Sequence, residues 1–193
     1  MKIIAIGLLA LTVAISGCSK PKGISASEKR DYVEAMKTST LEQFYQEIPE
    51  GRELVKNAKG YGVFSNVNVN VIFVSAGNGY GVVTDNSTGN KTYMNMGSGG
   101  LGLGAGVKDF RAVIIFHSKE TMDTFIDTGW EFGAEADAAA KSGDKGGSAE
   151  AAGNVNNGMS LYQLTETGFA LQATLKGTKY WHDDELNSPA LMK

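Results

Sequence analysis

The residues in this chain that could do chemistry are few. There are two histidines, His117 and His182, and no Ser/His/Asp spacing that marks a nucleophile with its base. His182-Asp183-Asp184-Glu185 holds imidazole and carboxylates, ligand types that suit a divalent metal. Contiguous residues cannot all converge on one ion, so the run reads as a solvated turn. Gly97, Gly99 and Gly102 spell G-x-G-x-x-G within MNMGSGGLGLGAGV, residues 94–107. In a dinucleotide site that pattern joins a strand to a helix N-terminus, where the pyrophosphate sits. Here it runs on as Leu103-Gly104-Ala105-Gly106-Val107, which has strand period and no helical promise. Neither a nucleotide nor any other cofactor is expected, no metal is assigned, and the chain reads as a non-enzyme.

The glycines raise a physical question instead. In an uninterrupted strand Gly100, Gly102, Gly104 and Gly106 would share one face, with Leu101, Leu103, Ala105 and Val107 on the other. A strand face without side chains permits a sharp bend or very close approach by a helix or an acyl chain. The reading is structural.

The cysteine is more specific. Lys2 and the apolar run from Ile3 to Ile15 are too short to span a bilayer and read as a signal peptide over 1–17. The run closes on Ile15-Ser16-Gly17-Cys18, which resembles the bacterial lipobox, and Cys18 is the only cysteine of the 193 residues. The resemblance implies an acylated Cys18 at the mature N-terminus. With Ser19 next, it also implies sorting to the outer membrane, facing the periplasm of a bacterial envelope. More than one acyl chain makes such an anchor stable, at about 0.8 kcal/mol per buried methylene. A single cysteine allows no intramolecular disulfide. The net charge is −3, and after residue 60 nine basic residues face fourteen acidic ones. That is not the footprint of a nucleic-acid-binding protein.

The elements that carry these residues follow from pattern. SKPKGI, residues 19–24, is a polar tether. Ser25-Ala26-Ser27-Glu28 is a capping box, followed by Val33, Met36, Leu41, Phe44, Tyr45 and Ile48 near helical spacing. Pro49 ends that amphipathic helix and opens a short second one through Leu54 and Val55. From Lys59 the period becomes two. Val67, Val69 and Val71 alternate with Asn66, Asn68 and Asn70, Tyr80 to Thr84 follows, and residues 85–90 turn into Thr92-Tyr93-Met94. Phe110–Phe116 is apolar on both faces and predicts a central strand. Ser118 caps a short helix carrying Met122, Phe125 and Ile126. Trp130 onward alternates again, residues 141–158 read as a mobile loop, and two strands close the chain, Met159–Leu164 and Phe169–Leu175. The fold class is therefore α+β, mainly β. An antiparallel curved sheet or barrel-like domain of about eight strands is expected, with N-terminal amphipathic helices and one short inserted helix.

Several ordered motifs resemble one family. Asn57-Ala58-Lys59-Gly60-Tyr61-Gly62-Val63-Phe64 is similar to the AKG-x-x-VF opening of the SYLF domain, and GNGYGVV at 77–83 to its next segment. FRAVIIF at 110–116, Trp130–Ala134, and Gly168-Phe169-Ala170 to Lys176-Gly177 follow in order. The family commonly has Gly-Ala-Asp-Ala where this chain has Gly133-Ala134-Glu135-Ala136. The resemblance covers roughly residues 30–187. It makes 25–193 one SYLF-like domain behind the lipidated tether 18–24, and it implies phospholipid binding without catalysis. The expected headgroup contacts are the N-terminal cations Lys29, Arg30, Lys37, Arg52, Lys56 and Lys59. The alternative is a docking lipoprotein whose partner is another envelope protein.

Overall fold

The computed structural model describes residues 20–71, 74–101, 106–132, 153–155, 158–165, 168–169 and 178–188. Among the described residues three helices, α1 (Ala26–Glu47), α2 (Gly51–Asn57) and α3 (Lys119–Thr128), flank nine strands. These are β1 (Gly60–Val71), β2 (Val74–Asp85), β3 (Lys91–Leu101), β4 (Gly106–Phe116), β5 (Trp130–Phe132), β6 (Gly153–Val155), β7 (Met159–Thr165), β8 (Gly168–Phe169) and β9 (Thr178–His182). One antiparallel sheet runs β5-β9-β3-β2-β1-β4-β7-β6, with β8 on β7. Among the described residues β5 and β6 are its edges, so the sheet is open and not a closed barrel. The expected α+β class, N-terminal helices, inserted helix and central FRAVIIF strand are all present. Within 141–158, read above as loop, Gly153–Val155 pair with β7. Most of the expected 169–175 strand lies outside the described residues.

Local chemistry sets the helix ends. The Ser25 hydroxyl accepts from the Glu28 N–H at 3.2 Å, and the Glu28 carboxylate accepts from Ser25 and Ile24 N–H at 3.1 and 2.7 Å. Those backbone donors, Ile24 first, hold the Glu28 carboxyl below its ordinary value. Ser25→Ala removes the cap and is expected to lower the melting midpoint by about 2–4 °C, read by calorimetry. Ser118 caps α3 by accepting from Thr121 N–H at 3.1 Å. Gly129, at φ 72°, ends that helix where a side chain would meet the Tyr180 carbonyl.

The helices cover opposite faces. Tyr93, Val82, Val63, Val113 and Tyr162 form one row across β3, β2, β1, β4 and β7. Val33 and Met36 of α1 pack with the Tyr93–Val82–Val63 end. Phe44 packs with the Val113–Tyr162 end. From Val33 to Phe44 the helix rises about 16 Å, close to the roughly 14 Å of three strand spacings. So α1 lies across the strands as a crossbar. On the other face Met122 and Phe125 of α3 join Phe64, Met94, Met96, Phe116 and Tyr180. The Tyr180 ring stands edge-on to Phe64 at 4.7 Å. Complete burial pushes its phenol well above the usual range.

Candidate functional site

The predicted cations do not form one cluster. Lys29 is paired with Glu185 at 2.5 Å. Arg30 Nε donates to the Ala26 carbonyl at 3.3 Å. Lys37 is buried and bound to Glu34 at 2.6 Å, and Lys91 takes the same carboxylate oxygen at 2.8 Å. Burial raises the Glu34 carboxyl, but the two ammonium groups outweigh it and hold it below its ordinary value. Beside it the Tyr93 phenol is pushed up to about 12, first by burial and then by the Glu34 charge. Arg52 lies over the Tyr45 ring at 4.4 Å, while Lys56 and Lys59 are exposed around the end of α2. Roughly 24 Å of helix separates Lys29 from Tyr45, on which Arg52 stacks. Sequence identified the charges but not their partners. Cys18 lies outside the described residues.

The other candidate chemistry resolves into architecture. His117 and His182 sit at the ends of β4 and β9, with β1, β2 and β3 between those strands. His117 Nε2 meets the Ser160 hydroxyl at 2.8 Å, and His182 meets Asp184 at 3.1 Å. Among the described residues no three His, Cys, Asp or Glu side chains are placed to share a metal. Residues 183–188 instead form a turn clasped to β3. Asp183 accepts the Leu186 N–H at 2.9 Å, and Leu186 is buried under α1. The Asn187 amide takes the Tyr93 N–H at 2.9 Å and donates to the Tyr93 carbonyl at 2.7 Å. It continues the ladder where β9 stops. This clasp was missed in the sequence, where Asn187 is one polar residue after an acidic run.

The glycine segment also divides. Gly97, Gly99 and Gly100 fall in β3 and Gly106 opens β4, so Gly100 and Gly106, expected on one strand face, belong to different strands. Gly102 and Gly104 lie outside the described residues. The segment leads from strand to strand, so the helix N-terminus a dinucleotide loop needs is not its continuation. Close approach is found elsewhere: side chains at Gly60, Gly79 or Gly81 would run into Met122, the Ser65 carbonyl or the Phe64 ring. At Gly97 the neighbour is the Trp181 indole, 3.2 Å from where a Cβ would stand.

With this arrangement the comparison with known proteins is direct. Residues 97–190 match the Ysc84 family, described as Las17-binding protein actin regulator. Over those residues the chain is similar to the Ysc84, or SYLF, family. The resemblance drawn from the ordered motifs is borne out. A curated bacterial relative of the SYLF domain is Beta cell expansion factor A of Aeromonas veronii, 35% identical over 162 residues. The match covers 84% of this chain and spans 60% of that relative's length. The SYLF segment contains β4, α3, β5, β7 and β9, hence most of the aromatic core beneath α3. Among the described residues no helix is long and apolar enough to cross a membrane.

Proposed function

We propose that this protein is a non-catalytic lipoprotein of the bacterial envelope, anchored through acylated Cys18, whose SYLF domain binds phospholipid. The observation that carries the reading is the SYLF match over 97–190 in the same chain as the lipobox-like Ile15-Ser16-Gly17-Cys18. The anchor holds the domain at a phospholipid surface, on the outer membrane facing the periplasm. Because the cations of α1 and α2 are dispersed and partly ion-paired, no single cationic pocket governs the interaction. Headgroup preference is therefore weak.

The test uses residues 19–193, which lack the anchor but contain all three cores, since these begin at Ala26. The expected result is sedimentation with both zwitterionic and anionic vesicles, with affinities within about tenfold of each other. Each phosphate-facing cation held near the surface would otherwise contribute about 1 kcal/mol. No sedimentation with any composition refutes lipid binding and makes docking to an envelope protein the better reading.

A further inference from the structure

The large hydrophobic side chains exposed among the described residues are Ile24, 98% accessible, and Trp181, 41%. They lie at one corner of the fold. Trp181 pairs with Asn95, and Asn95 with Tyr80, so the three form one row across β9, β3 and β2. Side chains directly opposite in a ladder share a face, and two strand spacings put Tyr80 about 10 Å from Trp181. The Tyr80 ring meets Tyr32 of α1 at 5.8 Å, and the Lys22 ammonium lies 5.9 Å from the Tyr32 ring centre. The tether is thus held over the same face as Trp181. Ile24 is fixed there by its N–H bond to Glu28 at 2.7 Å.

Two further facts identify the occupant. Five peptide units separate Ser19 from Ile24, at most roughly 18 Å of chain. The corner therefore cannot leave whatever surface holds the segment before the tether, and that segment carries the apolar run 3–15 and Cys18. The charges at the corner are mixed: Lys20 and Lys22 are exposed, but so are Asp31 and the fully accessible Asp184 side chain. An indole and a branched aliphatic group amid balanced charge suit the headgroup–acyl boundary of a bilayer. Gly97 allows the indole to lie close to the sheet, so its position is set before contact.

We propose that Trp181 and Ile24, with Lys20 and Lys22 beside them, are the surface that seats the domain in the phospholipid bilayer interface. This rests on the lipid-binding reading above and adds the orientation. Contact is led by apolar insertion and depends little on salt.

The experiment again uses residues 19–193. Trp130→Phe leaves Trp181 as the sole tryptophan, with the melting curve confirming the fold. Vesicles of phosphatidylcholine brominated near the acyl carbonyls are expected to quench and blue-shift Trp181 emission, equally at 0.1 and 0.5 M salt. In the otherwise unaltered chain Trp181→Ala is expected to weaken partitioning about tenfold, from the area withdrawn. Ile24→Ser acts in the same direction, and Trp181→Phe retains most of the binding. If the unaltered chain binds no vesicles, the lipid-binding reading itself fails. If it binds while Trp181 stays unquenched and Trp181→Ala partitions normally, only the orientation is overturned. A dimer in light scattering that Trp181→Ala dissolves, without quenching, overturns it in favour of a second copy as occupant.

Discussion

Replacing Gly81 with alanine lowers the unfolding free energy by about 3 kcal/mol or more and the melting midpoint by roughly 6–12 °C. The reason is the pairing of Gly81 directly opposite Phe64 in the β1–β2 ladder. A Cβ on Gly81 would meet both the Phe64 ring and the Val63 carbonyl oxygen, one step away in the ladder. The ring cannot retreat, because Phe64 is fully buried against Phe125 and Tyr180, with centroids at 6.1 and 4.7 Å. The carbonyl cannot retreat without breaking the β1–β2 ladder. Gly99→Ala is the control: it lies in β3 with nothing within 4 Å of its Cβ position. It should be neutral or slightly stabilising, since alanine restricts the unfolded chain. Urea denaturation of the pair checks both, and equal midpoints would refute the packing account.

Asn187→Ala costs about 2–3 kcal/mol, although the residue lies outside every strand. It loses three side-chain bonds, to Tyr93 N–H at 2.9 Å, to the Tyr93 carbonyl at 2.7 Å and to the Asp183 carbonyl at 2.7 Å. The Asp183 N–H still reaches the Tyr93 carbonyl at 3.0 Å, but the Tyr93 N–H is left without its acceptor in a partly buried place. Asn187→Asp tells the two halves apart. It keeps the acceptor for Tyr93 N–H but sets a carboxylate oxygen against the Tyr93 and Asp183 carbonyls where the amide donated, so it should be at least as destabilising as alanine. Hydrogen exchange reads the same event: the Tyr93 amide loses protection in Asn187→Ala while the Val63 and Val113 amides keep most of theirs. Unchanged Tyr93 protection would refute the clasp.

What sequence reveals here is what neighbours in the chain decide. The Ser25–Glu28 box, the change of period at Lys59, the two-sided apolar run at 110–116 and the Ser118 cap are each settled within a few residues, and each is observed. The partners of charges are not local: Lys29 finds Glu185 across 156 positions, and Lys91 finds Glu34 across 57. Composition therefore located the basic residues without showing that Lys29 and Lys37 are already engaged. Glycine misleads in a related way. Its density points to 97–106, whereas the need for it at Gly60 and Gly81 arises because Met122 and Phe64 pass over them. No property of the glycines themselves carries that information. The five-residue β9 is too short for its alternation to announce a strand, and its importance comes from what it lies between.

That position sets an order of events. β9, near the end of the chain, lies inside the sheet, hydrogen-bonded to β3 on one side and to β5 on the other. Residue 94 must find residue 182, and Trp130–Phe132 has no described ladder until β9 arrives. The β1–β2–β3 meander can form early from contacts close in sequence, but the sheet's β9–β5 wing waits for β9. Long loop closure makes that step slow. A chain emerging N-terminus first thus keeps this wing of the sheet incomplete until residues 178–182 are available.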